Sequence, residues 1–255
     1  MDNKILLSFD LEEFDIPEEY GQKLTEKEKL DVTMEGLIPL LELLEKHQIK
    51  ATFYTTAFFA ESRQEIVKRI SEKHEIASHG FYHSSFQPDD ILKSKIALQN
   101  ITGTTVNGFR MARLMPVDMS LLTKAGYRYD SSLNPTYIPG RYNNFNKARK
   151  PFQSSGLIIL PTSVATILRI PLFWISFKNF PTGFYTKLVL TTLEKDNYLN
   201  LYFHPWEFAD ISKYKLPFYV KSVSGNELLF KFEKLLIALK NKGKFISSAE
   251  FCNII

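Results

Sequence analysis

Two histidines four residues apart, His79 and His83, stand behind a short apolar run in the segment EIASHGFYHSSF. The chain has only five histidines among its 255 residues. Imidazole nitrogens combined with a carboxylate are common ligands of divalent metals, and two histidines at this spacing on a helical turn share a face. A pair by itself is more often structural or on the surface. The metal hypothesis therefore depends on what else the fold brings to the same place.

Two carboxylates near the N-terminus supply the missing type of ligand. Asp10 and Glu12 follow the apolar run KILLSF, which predicts a first strand. Residues two apart in an extended segment point the same way. A site of two histidines and one carboxylate, with open positions for water, suits zinc for hydrolysis or ferrous iron for oxygen chemistry. Spacing alone does not decide between these two metals.

The order of predicted elements explains how these residues would meet. Short strand-like runs alternate with amphipathic helical patterns, which predicts parallel βαβ units and an α/β sheet or barrel. The predicted strands are KILLSF, ATFYTT, EIAS, VNGFR, GLIILP, YLNLYFH and KFISS. The predicted helices are MEGLIPLLELLEKH, ESRQEIVKRISEK, ILKSKIALQNI, MSLLTKAG and ELLFKFEKLLIALKNKG. No repeat, low-complexity tract or linker interrupts the pattern, so we expect a single domain over residues 1–255.

Polar residues follow the predicted strands where chemistry would be expected. Catalytic residues of parallel α/β folds collect at the carboxyl ends of the strands. Five strand ends carry such side chains: Asp10 and Glu12, His79 and His83, Arg110, Asp130, and His204. Carboxylates, imidazoles and a guanidinium are therefore expected on one face of the fold, and together they favour the metal site.

The distribution of charged residues along the chain indicates which kinds of binding partner to expect. The net charge is +4, but residues 140–255 hold 16 Lys and Arg against 7 Asp and Glu. A basic C-terminal half favours anionic partners such as nucleotide-linked sugars or lipid phosphates, and transient contact with a membrane surface. Scattered solvated lysines are the more common reason for such an excess. No glycine-rich phosphate loop or basic–aromatic RNA motif occurs, so no nucleic acid partner is expected.

Cysteine content and hydropathy bear on the compartment. Cys252 is the only cysteine, which excludes an intrachain disulfide, fits a reducing compartment, and is expected to be a small buried residue. The segment MDNKILLSFD has about five consecutive apolar residues, too few for a signal peptide or a membrane span. The segment ILRIPLFWISF is short and broken by Arg169 and Pro171. We expect a cytoplasmic protein, and the oligomeric state is not predicted.

The segments SFDLEEF, EIASHGFYH, GFR, YDSS and YFHPWEF occur in the order seen in the polysaccharide deacetylases with the NodB homology domain (carbohydrate esterase family 4). The chain resembles this family over nearly its whole length, most closely the branch whose first motif is Phe-Asp-x-Glu/Asp. The resemblance implies a distorted (β/α) barrel, often of seven strands, and removal of acetyl groups from N-acetyl sugars with a divalent metal. Some relatives in this branch cleave cyclic amides instead, some of them without metal.

The resemblance also implies roles for individual residues. It makes Asp10 the general base, Arg110 the residue that orients it, and His204 the general acid. It makes Glu12, His79 and His83 the metal ligands, with Zn²⁺ as the expected ion. Glu13 competes with Glu12 as the carboxylate ligand, although alternation in an extended segment turns it away from Asp10. Two positions depart from the family pattern: Leu11 stands where the second carboxylate normally follows the base, and Ala112 replaces the usual proline.

Substrate contacts are expected from three further residues. Asp130 with Ser131 is a candidate for binding sugar hydroxyls or orienting His204, with a turn or capping role as the equal alternative. Trp206 either stacks on a sugar ring or is simply buried. The aromatic segment TSVATILRIPLFWISFKNFPTGFY, residues 162–185, either walls the substrate groove, lies against a partner or packs in the core.

The sequence hypothesis is a metal-dependent hydrolase that removes N-acetyl groups from a glycan precursor or from a nucleotide- or lipid-linked sugar. A cyclic-amide hydrolase is the first alternative. A catalytically inactive sugar-binding homologue is the second, because the changes at Leu11 and Ala112 affect the metal and loop positions. A metal bound at Glu12, His79 and His83 would favour the metal-dependent hydrolase, whereas a site without metal would favour the two alternatives.

Overall fold

The computed structural model describes residues 3–255, so the first two residues of the predicted N-terminal segment lie outside the described residues. The strands are β1 (Lys4–Leu11), β2 (Thr52–Thr55), β3 (Glu75–Ser78), β4 (Gly108–Phe109), β5 (Tyr129–Asp130), β6 (Tyr137–Ile138), β7 (Tyr142–Asn143), β8 (Phe152–Ser154), β9 (Leu157–Ile159), β10 (Tyr198–Phe203) and β11 (Lys244–Phe245). The helices are α1 (Glu26–His47), α2 (Ala57–Ser62), α3 (Gln64–Ser71), α4 (Asp90–Thr102), α5 (Met119–Lys124), α6 (Trp174–Asn179), α7 (Thr182–Asp196), α8 (Phe218–Lys221), α9 (Gly225–Lys240) and α10 (Ser248–Cys252). Short 3₁₀ helices span Ile16–Tyr20, Ala112–Leu114 and Pro205–Phe208.

A curled sheet of mostly parallel strands forms the centre of the described chain. Seven strands run in the order β10-β1-β2-β3-β4-β5-β9, each parallel to its neighbours. Two short strands extend this set, because β11 pairs with the first residues of β1 and β8 runs antiparallel to β9. The helices connect successive parallel strands, as crossover connections require. The predicted α/β fold with a distorted barrel-like sheet is confirmed.

Hydrogen bonds join the chain that follows β9 to β10, the strand at the other end of the parallel set. The chain after β9 runs beside β10, where the Ser163 amide donates to the Asn200 carbonyl at 2.9 Å. The Asn200 side-chain amide donates to the carbonyl oxygens of Leu160 and Pro161, at 3.2 Å in each case. Since Asn200 is fully buried, these bonds satisfy its side-chain N–H groups inside the core and fix the distance between β9 and β10.

Helix α1 positions the chain that follows β10. The helix begins where the Thr25 side chain accepts a hydrogen bond from the Glu28 amide, and it buries a stripe of leucines against the sheet. Gly36 contacts the 3₁₀ helix Pro205–Phe208 so closely that an added Cβ would lie 2.0 Å from the Pro205 carbonyl oxygen. Only glycine permits this approach, so α1 determines where the segment after β10 can lie.

Some elements differ from the sequence prediction. The first helix begins at Glu26 rather than at residue 34, because the preceding charged residues continue to the Thr25 cap. The predicted final strand ends at Phe245, and the remaining residues start α10 at Ser248. Helices α6 and α7 were not predicted, since their aromatic and β-branched residues have low helix propensity.

None of the helices in residues 3–255 combines the length and the apolar character needed to cross a membrane.

Candidate active site

The predicted metal ligands meet at the carboxyl ends of β1 and β3. Glu12 directly follows β1 and His79 directly follows β3, with β2 paired between these strands. His83 lies on the loop before α4, so the expectation of a helical turn for the two histidines was wrong. The loop nevertheless places the two imidazole rings with their centroids 5.9 Å apart and nearly parallel. The three side chains are buried together.

The geometry of this triad fits a cation. Glu12 Oε2 lies 3.0 Å from His79 Nε2 and 3.2 Å from His83 Nε2. One ligand atom from each of the three residues lies within 4.8 Å of the others. Glu12 Oε2 and His79 Nε2 are buried yet make no hydrogen bond in the described chain. Buried polar atoms are rarely left unpaired, so these atoms face a position where a divalent cation would satisfy them.

Both histidines are held by hydrogen bonds on their other nitrogen. His79 Nδ1 donates to the Arg110 carbonyl oxygen at 2.9 Å, and His83 Nδ1 donates to Asp15 Oδ1 at 2.7 Å. These bonds leave each Nε2 facing Glu12, as metal-ligating histidines usually require. Burial would lower the pKa of His83, but the charges of Glu12 and Asp15 outweigh it and raise that pKa to about 9. A cation would therefore compete with a proton for this nitrogen.

Glu12 remains ionised in spite of its burial. Burial alone would raise its pKa, but the charges of His83 and His204 outweigh that effect and hold the pKa below its usual range. Trp206 Nε1 donates a hydrogen bond to Glu12 Oε1 at 3.2 Å, which occupies the oxygen that does not face the histidines. The carboxylate is thus both charged and oriented, as a metal ligand must be.

Asp10 lies beside the triad and is fixed by Arg110. The Arg110 Nη1 donates to Asp10 Oδ1 at 2.6 Å and to Ser8 Oγ at 3.0 Å. The guanidinium is fully buried, lies 3.9 Å from the ring centre of Tyr54, and donates from Nη2 to Ser131 Oγ at 3.0 Å. The other carboxylate oxygen, Asp10 Oδ2, remains free to face the site and lies 3.9 Å from His79 Nε2.

His204 lies on the opposite side of Asp10 from the arginine. Its Nε2 is 3.9 Å from Asp10 Oδ2 and 3.8 Å from Glu12 Oε1. Its Nδ1 donates to Glu207 Oε1 at 3.0 Å, and its ring stacks on Trp206 with centroids 4.8 Å apart. Burial would lower the pKa of His204, but the charges of Glu12 and Glu207 raise it overall. The imidazole is therefore suited to carry and donate a proton.

Three functional residues were missed by sequence reasoning. Glu207 orients His204, and its other oxygen lies 3.7 Å from the Nζ of Lys178, with both side chains fully buried. Asp15 orients His83. The signal for Glu207 was its position three residues after His204 in the segment HPWE, and Asp15 follows directly after the first motif. Lys178 had no signal of its own, because α6 was not predicted.

Asp130, Ser131 and Glu13 do not lie where the sequence analysis allowed for a direct role. Asp130 accepts a hydrogen bond from the Ser132 hydroxyl at 2.5 Å, and Ser131 binds Arg110, but neither lines the cavity. The expected contact between Asp130 and His204 is replaced by Glu207. Glu13 points away from the triad and accepts from the Thr56 hydroxyl at 2.5 Å.

A cavity of about 310 Å³ opens above these residues. Asp10, Glu12, His83 and His204 lie in its wall together with Trp206, which is almost fully buried. The remaining wall mixes aromatic and aliphatic side chains, and its two arginines, Arg113 and Arg141, both pair with Glu19 in the same wall. The aromatic members include Tyr20, Tyr142, Phe173, Trp174 and Tyr219. The aromatic segment 162–185 therefore supplies part of the cavity wall.

The 3₁₀ turn that starts at Ala112, the position of the usual proline, has an uncommon backbone at the rim of this cavity. Arg113 and Leu114 have φ angles of 56° and 53°, in the left-handed region. Arg113 lines the cavity and lies 2.8 Å from Glu19. Non-glycine residues with positive φ are uncommon and cluster at functional sites.

Sequence comparison finds a family match for part of the chain. Residues 31–129 match the family model described as polysaccharide deacetylase. Over these residues the chain is similar to that family. The resemblance inferred from the motifs is confirmed, and so is the predicted enzyme class, a hydrolase acting on carbon–nitrogen bonds. The particular branch with the Phe-Asp-x-Glu/Asp motif stays a prediction. No protein of curated function gives a significant sequence match.

Solved structures share the fold of this chain over nearly its whole length. A protein assigned to the polysaccharide deacetylases from Mycobacterium smegmatis is 17% identical, with a TM-score of 0.69, and the match covers 100% of this chain and 90% of that one. Another from Pseudomonas aeruginosa PAO1 is 14% identical, with a TM-score of 0.71 and coverage of 98% and 89%. The structure of Puue Allantoinase is 14% identical, with a TM-score of 0.67 and coverage of 98% and 89%.

Proposed function

We propose that the chain is a metal-dependent hydrolase that removes N-acetyl groups from a sugar or glycan precursor. The observation that carries the proposal is the pair of unsatisfied buried ligand atoms on Glu12 and His79, which face each other beside Asp10 and His204. Two imidazoles and one carboxylate with open positions form a common donor set of catalytic zinc sites, so Zn²⁺ is the proposed ion. Glu12, His79 and His83 would hold it.

The surrounding residues can perform amide hydrolysis. The cation would supply an activated water and polarise the acetyl carbonyl. Asp10 would accept the proton of that water through Oδ2, while Arg110 holds Oδ1 and keeps the carboxylate in place. His204 would donate the proton from Nε2 to the departing nitrogen, and Glu207 would stabilise the charged imidazole through Nδ1. Base and acid therefore lie beside the same reacting position.

The cavity suits an N-acetylated sugar that carries an anionic group. Aromatic side chains in the wall provide surfaces on which sugar rings stack, and Trp174 lies close to His204, with ring centroids 5.2 Å apart. Arg113 and Arg141 share Glu19 as a partner, and their remaining N–H groups would bind the phosphate of a nucleotide- or lipid-linked sugar. Trp206 contributes mainly by holding Glu12, and Asp130 and Ser131 by supporting the arginine loop.

Acetate release from a panel of N-acetylated sugars tests the proposal. The panel should contain free, nucleotide-linked and polyprenyl-phosphate-linked forms, assayed with zinc-loaded chain. We expect release from at least one conjugate, with loss in Asp10→Asn and in His204→Ala. A zinc-loaded chain that releases no acetate from any conjugate would contradict the proposal.

A cyclic-amide hydrolase is the second candidate. The similarity of the fold to that of Puue Allantoinase favours it. A panel of cyclic ureides, followed by loss of ring absorbance, tests this candidate directly. Zinc-loaded chain that binds N-acetyl sugars by calorimetry but hydrolyses neither panel would instead support the inactive sugar-binding alternative.

We also propose that residues 1–255 act as one domain in a reducing compartment. The pairing of β1 with both β10 and β11 joins the two ends of the described chain in one sheet. The single cysteine, Cys252, is buried. Limited proteolysis that releases a stable fragment would contradict the one-domain proposal, and fractionation of cells tests the compartment.

A further inference from the structure

An exposed apolar surface lies on the loop between β9 and α6. Ile167 and Leu168, adjacent in the chain, are 79% and 71% exposed. They border a groove of about 420 Å³ whose other wall is a face of α7, where Phe184 is 49% exposed. Lys187 and Lys195 line the same groove. These five residues, Ile167, Leu168, Phe184, Lys187 and Lys195, are called the tip surface below.

Backbone and side-chain hydrogen bonds hold the exposed turn in place. The Ala165 amide donates to the Ile170 carbonyl at 2.8 Å, and the Arg169 amide donates to the Ala165 carbonyl at 3.0 Å. The Arg169 guanidinium donates to the carbonyl oxygens of Pro135 and Lys147, at 3.1 and 2.7 Å. The two aliphatic side chains are therefore presented by a closed turn, and adjacent exposed aliphatic residues of this kind usually mark an interaction surface.

The charged side chains that line the groove are basic, and the exposed Glu194 next to Lys195 lies outside its lining. Lys187 and Lys195 border the groove, and no acidic residue of the described chain lines it. Asp196 follows Lys195, but two hydrogen bonds from Arg149, of 2.8 and 2.9 Å, compensate its charge. Aliphatic side chains flanked by lysines match the boundary of a bilayer, where apolar groups enter the acyl region and lysines meet phosphates.

We propose that the tip surface docks the chain on the surface of a bilayer that contains anionic lipids. The loop follows the carboxyl end of β9, so it lies on the same face of the sheet as the active site. Phe173 and Trp174, a few residues further along, line the active-site cavity. Docking would therefore bring the cavity near the membrane, which favours substrates held there. The binding itself does not depend on the proposed reaction.

Co-sedimentation of the full chain with vesicles tests the proposal. The vesicles are pure phosphatidylcholine and an equimolar mixture of phosphatidylcholine and phosphatidylglycerol. We expect binding to the mixed vesicles that weakens as salt is added, and much weaker binding to the neutral ones. Ile167→Ser with Leu168→Ser should lower the partition coefficient at least about tenfold. Lys187→Ser with Lys195→Ser should lower it at least about tenfold on mixed vesicles only.

A matched control separates a specific surface from general stickiness. Phe230 and Ile237 on α9 are 60% and 52% exposed, so Phe230→Ser with Ile237→Ser removes comparable apolar surface elsewhere. This control should bind the mixed vesicles as the unmodified chain does, and all variants should keep their thermal unfolding temperature. Absence of vesicle binding, or an equal loss in the control, would overturn the proposal. The proposal would also be overturned if the chain binds no vesicles and instead forms a dimer that Ile167→Ser with Leu168→Ser dissociates.

Discussion

Glu12 and Glu13 are neighbours in the chain, but their carboxylates face different surroundings. Glu12 lies beside His79 and His83, and the positive charges near it keep it ionised. Glu13 points to the other side and binds the Thr56 hydroxyl, and burial raises its pKa. The alternation of an extended chain produces this difference, so a one-residue change in position separates the proposed metal ligand from a buried structural acid.

Substitutions distinguish the roles of the three carboxylates Asp10, Glu12 and Glu13. Glu12→Gln should lower zinc affinity about 10–100-fold, because the amide is a poorer ligand, while Glu13→Gln should leave it unchanged. Asp10→Asn should keep zinc and reduce acetate release about 10²–10⁴-fold, because the amide cannot accept a proton. Calorimetric zinc titration together with the acetate assay measures both. If Asp10→Asn loses zinc while Glu12→Gln retains it, the two assignments must be exchanged.

The buried pair of Lys178 and Glu207 makes a prediction about stability. Removing one partner of a buried ion pair leaves an uncompensated charge, so Lys178→Met should lower the free energy of unfolding by about 3–5 kcal/mol. The double variant with Glu207→Gln should recover part of that loss, since it also removes the charge. Urea unfolding followed by circular dichroism measures both. A Lys178→Met variant as stable as the unmodified chain would show that the pair contributes little.

At the scale of elements, helix α1 and the 3₁₀ helix Pro205–Phe208 act as one support. The helix carries no catalytic side chain, but its contact at Gly36 locates the segment that holds Trp206 and Glu207. Those two residues in turn orient Glu12 and His204. The position of the acid and of one metal ligand therefore depends on packing between elements that are distant in the sequence.

Gly36→Ala tests this dependence. The added Cβ would meet backbone atoms at 2.0 and 2.8 Å, and backbone cannot rotate away as a side chain can. We expect the free energy of unfolding to fall by about 1–3 kcal/mol. Acetate release should also fall, because the clash displaces His204, the proposed acid. Gly183→Ala is the matched control, because Gly183 also lies in a helix and its added Cβ would meet no atom within 4 Å. Equal activity in Gly36→Ala and the unmodified chain would contradict the supporting role.

At the scale of the whole molecule, a bound cation would add a link between segments that follow different strands of the sheet. Glu12 follows β1, while His79 and His83 follow β3, so a shared ion links two parts of the sheet. Ligands that bind only the folded state raise its stability. The site is thus expected to contribute to folding as well as to the reaction.

Thermal unfolding with and without zinc measures this contribution. Free zinc at about 100 times its dissociation constant should add about 2.7 kcal/mol to the free energy of unfolding. A chelator should reverse the increase in unfolding temperature. The His79→Ala variant should fold but show no increase, whereas His47→Ala, outside the site, should respond as the unmodified chain does. An equal response of His79→Ala would place the cation elsewhere.

The sequence by itself determined most of the order of strands and helices, the face on which the polar strand ends meet, and the candidate residues of the metal site. Parallel strands place residues that follow them at one edge, so Asp10 and Glu12 could be placed near His79 from hydrophobic patterns, and the resemblance then singled out Glu12. The motifs, with their order, also indicated the family that residues 31–129 match. These features are local or follow from topology, which is why a sequence can reveal them.

Only the tertiary structure decided which side chains hold those residues in place. Asp15, Glu207 and Lys178 became visible through packing, because their contacts join segments with no common pattern in the sequence. The tip surface likewise depends on which apolar residues remain exposed in the folded chain. Hydrophobic periodicity cannot show this for an aromatic segment whose residues have low helix propensity. Burial and long-range contact are properties of the folded chain, and they gave this site its support.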